Sequence, residues 1–96
     1  TMEKEYKYPK SIHTLIGLLK RHDIRISTSH KTRIKGWHDH TQGISISKKY
    51  DNTFYVMEYH GAKWLPKAYE AMKSEGFHIA DENMPNSFLV HGQKPA

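Results

Sequence analysis

The residues of this 96-residue chain whose types could do chemistry are its eight histidines and its fifteen Lys and Arg. The densest histidine cluster is His38-Asp39-His40. On a strand an H-x-H pair turns both rings to one side, which is what a metal site needs. No third or fourth ligand follows at a recognisable spacing, so a further donor would have to come from His30 or His60. The competing and favoured reading makes Trp37-His38-Asp39-His40-Thr41-Gln42-Gly43 a polar hairpin loop, and with it no metal and no cofactor is expected. A metal-dependent nuclease using His38 and His40 stays as a third-ranked alternative. Nucleophilic chemistry has less to work with. There is no cysteine, no G-x-S-x-G elbow, no Walker lysine behind a glycine-rich loop and no G-x-G-x-x-G opening a helix. The few carboxylates fall at turns or on helix surfaces, and the chain reads as a non-enzyme.

The basic residues are unevenly divided. Residues 1–50 carry eleven Lys or Arg against four acids, a net of +7, while residues 51–96 carry four Lys against six acids, a net of −2. A basic field concentrated on one part of a small domain is the electrostatic footprint of a nucleic-acid binder. Arg33 and Lys35 share one face of an alternating run, with Lys31 one step earlier. Arg25 precedes them, and Lys48 and Lys49 close the following strand beside Tyr50. Trp37 and Tyr55 interleave with these charges and bring stacking and cation–π capacity. The candidate nucleic-acid-binding set is therefore Arg25, Lys31, Arg33, Lys35, Trp37, Lys48, Lys49 and Tyr50. Its expected location is the outer face of the central sheet, with the near-neutral half of the chain as scaffold. The bland alternative, basic residues as ordinary solvated positions on a wet sheet face, stands beside this for each residue taken singly.

These residues need elements to hold them. Ser11 is a plausible N-cap, and Ile12, Leu15, Ile16 and Leu19 then recur on one helical face. That helix ends near His22, with Lys20, Arg21 and His22 set against the negative end of its dipole. Ile24 and Ile26 begin a short strand, residues 27–30 turn, and residues 33–37 alternate as another strand. Residues 44–49 and 53–59 form a hairpin around Asp51-Asn52, with Phe54 and Val56 on one face and Tyr55, Met57 and Tyr59 on the other. Gly61 breaks the pattern, and Pro66 fits only a first helical turn. Leu65, Ala68, Tyr69 and Met72 line the second helix, and Gly76 suits its C-terminal exit. Phe77 and Ile79 alternate in a strand, residues 81–86 turn, and residues 87–91 return with either Phe88 and Val90 or Leu89 inward. The expected fold is α+β, an antiparallel sheet with two covering helices in the order α-β-β-β-α-β-β.

One domain is expected over residues 10–92, with residues 1–9 a flexible lead-in, residues 93–96 a tail, and Thr1 before Met2 a cloning scar. No apolar run approaches the roughly 20 residues of a membrane span. The polar start lacks a signal-peptide pattern. The lack of cysteine fits a reducing cytosol or nucleus, and the expected location is the cytoplasm, the host's if the chain is phage-encoded.

Two nucleic-acid-binding architectures share this element order. The double-stranded RNA-binding domain ends at its second helix and opens that helix with K-K-x-A-K. Gly61-Ala62-Lys63-Trp64-Leu65-Pro66-Lys67-Ala68 keeps only isolated lysines there, and the chain runs on into a hairpin. Over residues 10–92 the chain resembles the C-terminal double-wing domain of the MotA transcription factors of T-even-like phages. Leu18-Leu19-Lys20-Arg21-His22-Asp23-Ile24 is similar to that family's first helix running into its first strand. The third central strand passes through Tyr59-His60-Gly61 into the second helix. Ala71-Met72-Lys73-Ser74-Glu75-Gly76-Phe77-His78-Ile79-Ala80 is similar to its helix-to-strand exit, and Ser87-Phe88-Leu89-Val90 to its last strand. The central loop differs in spacing by a few residues, and the family's N-terminal winged-helix half has no counterpart here. The resemblance implies duplex DNA binding by a saddle-shaped sheet and its wings in transcription regulation, as an activator, with RNA polymerase machinery reached through a neighbouring domain. A rival from another class is an interaction or inhibitor module, a small phage or immunity protein whose basic half meets an acidic protein surface.

Overall fold

The computed structural model describes residues 5–27, 43–49, 51–59, 61–81 and 86–95. Helix α1 (Ile12–Arg21) leads to the hairpin β1 (Gly43–Lys48) and β2 (Thr53–Tyr59), then helix α2 (Leu65–Ser74), then β3 (Ile79–Asp81) and β4 (Ser87–His91). The fold is α+β, with two helices over one antiparallel sheet of order β1-β2-β4-β3 among the described residues. The last strand therefore inserts between β2 and β3 rather than adding at the edge.

Register sorts the sheet into two faces. Ile46, Val56 and Phe88 form one cross-sheet row, and Phe54 and Val90 sit in the next. These side chains meet Leu15, Leu18 and Leu19 of α1 and Leu65, Ala68, Ala71 and Met72 of α2 in a single core. Each large apolar side chain buried this way stabilises the fold by about 1.5–3 kcal/mol. The buried stripe of α1 is turned slightly from the expected one: Leu18 is inside, while Ile12 and Ile16 flank the core half-exposed. In α2, Ala71 takes the inner place, and Tyr69 lies half-exposed with its ring edge-on to Phe88 at 5.6 Å.

The turns explain the boundaries. Asn52 adopts φ 57° between β1 and β2, and Gly76 takes φ 95° just after α2, as a C-terminal glycine should. Ser11 occupies the N-cap of α1 in extended conformation, yet its hydroxyl makes no capping hydrogen bond; its carbonyl instead accepts from the Thr14 amide at 3.2 Å. Pro66 falls in the first turn of α2 as expected.

Three expectations change. Residues 24–26 do not form a strand: Asp23 turns the chain at φ 56°, and a single parallel bridge joins Ile26 to Ile44. Phe77 likewise makes only a bridge, to Lys7, because the strand proper begins at Ile79. The segment read as a lead-in is packed at its end. The Lys7 amide donates to the Gly76 carbonyl at 2.8 Å, Pro9 is buried, and Tyr6 stacks on His78 with ring centroids 4.1 Å apart. The strand expected over residues 33–37 lies outside the described residues. No helix among the described residues is long and apolar enough to cross a membrane.

Candidate nucleic-acid interface

Of the eight candidate interface residues, Arg25, Lys48 and Lys49 are described, and all three are exposed. Lys31, Arg33, Lys35, Trp37 and Tyr50 lie outside the described residues, as do His30, His38, His40 and His60. Among the described residues no three His, Cys, Asp or Glu gather as metal ligands.

The three described cations do not share the outer sheet face. Arg25 precedes the bridge to β1: its carbonyl accepts from the Ile44 amide at 2.8 Å, and the Ser27 amide donates to the Ile44 carbonyl at 2.9 Å. This approach is tight enough to require glycine beside it. Gly43 has φ 134°, and a Cβ there would stand 2.7 Å from the Ser27 nitrogen. Lys48 and Lys49 sit at the other end of β1. Alternation turns Lys48 toward the helix side, opposite Phe54, with its ammonium 6.0 Å from the centre of that ring. Lys49 turns the other way and holds its ammonium 4.7 Å from the centre of Tyr55. The outer face itself carries Ser45, Ser47, Tyr55, Met57, Ser87 and Leu89, with no Lys or Arg among these positions. The described part of the interface is thus an edge, running along β1 from Arg25 to Lys49. From Ile44 to Lys48 is four residues, about 13 Å of strand, over which one DNA strand passes roughly four phosphates.

A second basic group lies where scaffold was expected. Lys63 and Lys67 are exposed and place their ammonium groups 5.3 and 5.1 Å from the centre of the Trp64 ring. What fixes this corner is Glu58. It sits in β2, only 3% exposed, and its carboxylate accepts from the amides of Lys63 (3.1 Å), Trp64 (2.8 Å) and Leu65 (2.7 Å). It satisfies amides at the start of α2 that would otherwise be orphaned, a capping role supplied from another element. The signal for this corner was present as lysines four residues apart flanking a tryptophan. The role of Glu58 was hidden, because an acid in an alternating run gives no sign that it faces inward.

Two further groups are electrostatically marked. Glu75 bridges Arg21 and His22, each at 2.7 Å, and so ties the ends of α1 and α2. Burial raises its carboxyl pKa, but the hydrogen bonds from His22 and Arg21 outweigh this and hold it below the ordinary value. His78 and His91 have ring centroids 4.4 Å apart, with Tyr6 stacked and Tyr8 edge-on to His78. Burial and the neighbouring His78 push His91 below its ordinary value, against an opposing pull from Asp51. Asp51 is itself held low, chiefly by the Thr53 hydroxyl, which donates to it at 2.6 Å.

No family model matches this chain, and neither a curated protein nor a solved structure does.

Proposed function

We propose that this chain is a non-catalytic DNA-binding domain that holds duplex DNA by its phosphates, with the β1 edge as its contact line. The observation that carries the reading is how two half-exposed rings among the described residues, Tyr55 and Trp64, are used. Lys49 lies over Tyr55, and Lys63 and Lys67 over Trp64. A base cannot stack on a ring that already holds the chain's own ammonium group without displacing it, at a cost of about 0.5–1 kcal/mol for an exposed pair. These rings therefore position cations instead of offering stacking platforms. Positioned cations suit phosphates, which carry most of the affinity for duplex DNA and none of its sequence information. Single-strand binders depend on free aromatic faces.

The excess of basic residues over residues 1–50 supports the same partner. In this reading Lys31, Arg33, Lys35, Trp37 and Tyr50 belong to the same binding set as Arg25, Lys48 and Lys49. The double-wing likeness, a matter of layout, is what adds transcription regulation, and polymerase contacts would belong to a neighbouring domain.

Fluorescence anisotropy with a random duplex and the matching single strand tests the reading. The duplex should bind more tightly, and its affinity should drop steeply between about 50 and 200 mM salt. Arg25→Ala, Lys48→Ala and Lys49→Ala together should lower the log–log salt slope by about 0.9 for each phosphate no longer neutralised. Tighter binding of the single strand, or no duplex binding at the lower salt, overturns the proposal. The second result would favour the acidic protein partner.

A further inference from the structure

We infer that the turn into α2 is a second phosphate-contacting surface, made by Lys63 and Lys67 held on Trp64. It rests on the duplex reading above and extends the interface from the β1 edge to the helical layer. Two ammonium groups four residues apart would ordinarily spread away from each other in water. Here both are drawn to one indole, at 5.3 and 5.1 Å from its centre, so they stand as a pair at a fixed place. Neither is ion-paired among the described residues. The acid beneath this turn, Glu58, is buried and committed to the three amides of residues 63–65. Those amides are consequently closed to any external anion, and the attraction left at this corner comes from the two lysines. Paired ammonium donors without a carboxylate partner match the unesterified oxygens of a phosphodiester backbone.

The position also joins the rest of the candidate interface. A groove of about 440 Å³ between residues 22–24 and α2 is lined by His22, Ile24, Lys67, Glu70, Ala71 and Ser74. Lys67 lines it together with Ile24, the residue before Arg25. One acid, Glu70, lines it as well. The groove thus runs between Lys67 and the segment that leads into Arg25.

The test pairs anisotropy with ¹H–¹⁵N NMR of the whole chain titrated with a random duplex. In Lys63→Ala/Lys67→Ala the salt slope should fall by close to two units, at about 0.9 per phosphate, and Lys63→Arg/Lys67→Arg should restore it. In the wild-type protein the Trp64 indole and the amides around it should shift on titration. An unchanged slope in the alanine variant with an unmoved Trp64 signal, while the wild-type protein still binds, overturns this inference and leaves the duplex reading intact. Failure of the wild-type protein to bind duplex at about 50 mM salt overturns both. Should the alanine variant unfold, the arginine variant and the wild-type titration decide the matter alone.

Discussion

Glu58 shows how much one side chain can decide. A carboxylate taken out of water is costly unless its oxygens are hydrogen-bonded, and here three backbone amides satisfy it. The exchange works in both directions, since the same bonds satisfy the amides that open α2. Glu58→Ala should cost about 3 kcal/mol in urea unfolding, because several orphaned donors are left at a buried site. Glu58→Gln keeps the shape and one acceptor oxygen, and should cost roughly half as much. Equal stability of the alanine variant and the wild-type protein would mean that solvent reaches these amides. Beyond stability, removing this cap would loosen the corner that holds Lys63, Trp64 and Lys67, so stability and the proposed phosphate surface are linked through one residue.

At the scale of elements, two glycines govern how β1 and its neighbours meet. Gly43 lets residues 25–27 close against β1, and Gly92 lets the chain after β4 reach the β1–β2 turn, where its amide donates to the Asn52 carbonyl at 2.7 Å. A Cβ on Gly92 would stand 2.6 Å from that carbonyl oxygen and 2.9 Å from the Phe54 ring. Backbone and a buried ring cannot yield cheaply. Gly43→Ala and Gly92→Ala should each destabilise by about 1–3 kcal/mol in chemical denaturation, with the Gly43 variant carrying an added cost for its positive φ. A change below about 0.5 kcal/mol would show that the elements separate without penalty. The β1 edge depends on this closure, so Gly43→Ala should also weaken duplex binding by displacing Arg25 relative to Lys48 and Lys49.

For the whole molecule, charge acts twice, in binding and in the pH dependence of folding. His91 has a folded pKa below its unfolded value of about 6.5, so the unfolded chain binds more protons between those two values. The associated stability is complete above about pH 6.5 and is lost as pH falls through the lowered folded value. Asp51 and Glu75 are also lowered, and their contribution disappears at more acid pH, below the ordinary carboxylate range. Thermal unfolding followed from about pH 7.5 downward should therefore show two falls. Replacing His91 with Asn should flatten the first and leave the second. A flat profile between about pH 7 and 5 in the wild-type protein would exclude His91 as a source of pH dependence. Protonation on the same descent in pH raises the net positive charge, so duplex affinity should strengthen over the range in which stability weakens.

Local pattern was legible along the chain wherever a period of 3.6 or 2 meets a buried face. Leu15 and Leu19 in α1, Leu65, Ala68 and Met72 in α2, and Phe54, Val56, Phe88 and Val90 in the strands all follow from it, as do the Asp51-Asn52 turn and the exit at Gly76. Burial enforces these periods residue by residue, so they can be read without knowing the neighbours. Surface charge obeys no such period. Whether Lys48 and Lys49 share a face, whether Arg25 stands beside β1, and whether Lys63 and Lys67 meet on one ring depend on register, on strand order and on turns. Glu75 reaches Arg21 and His22 from more than fifty residues away, and β4 enters the sheet between β2 and β3. An α+β chain with its basic excess in the first half could thus be read from residue order alone. That Lys48 and Lys49 point to opposite sides at one end of β1, and that Lys63 and Lys67 meet at a helix corner, came from folding in three dimensions. Their positions are set by long-range pairing, and local alternation carries no record of it.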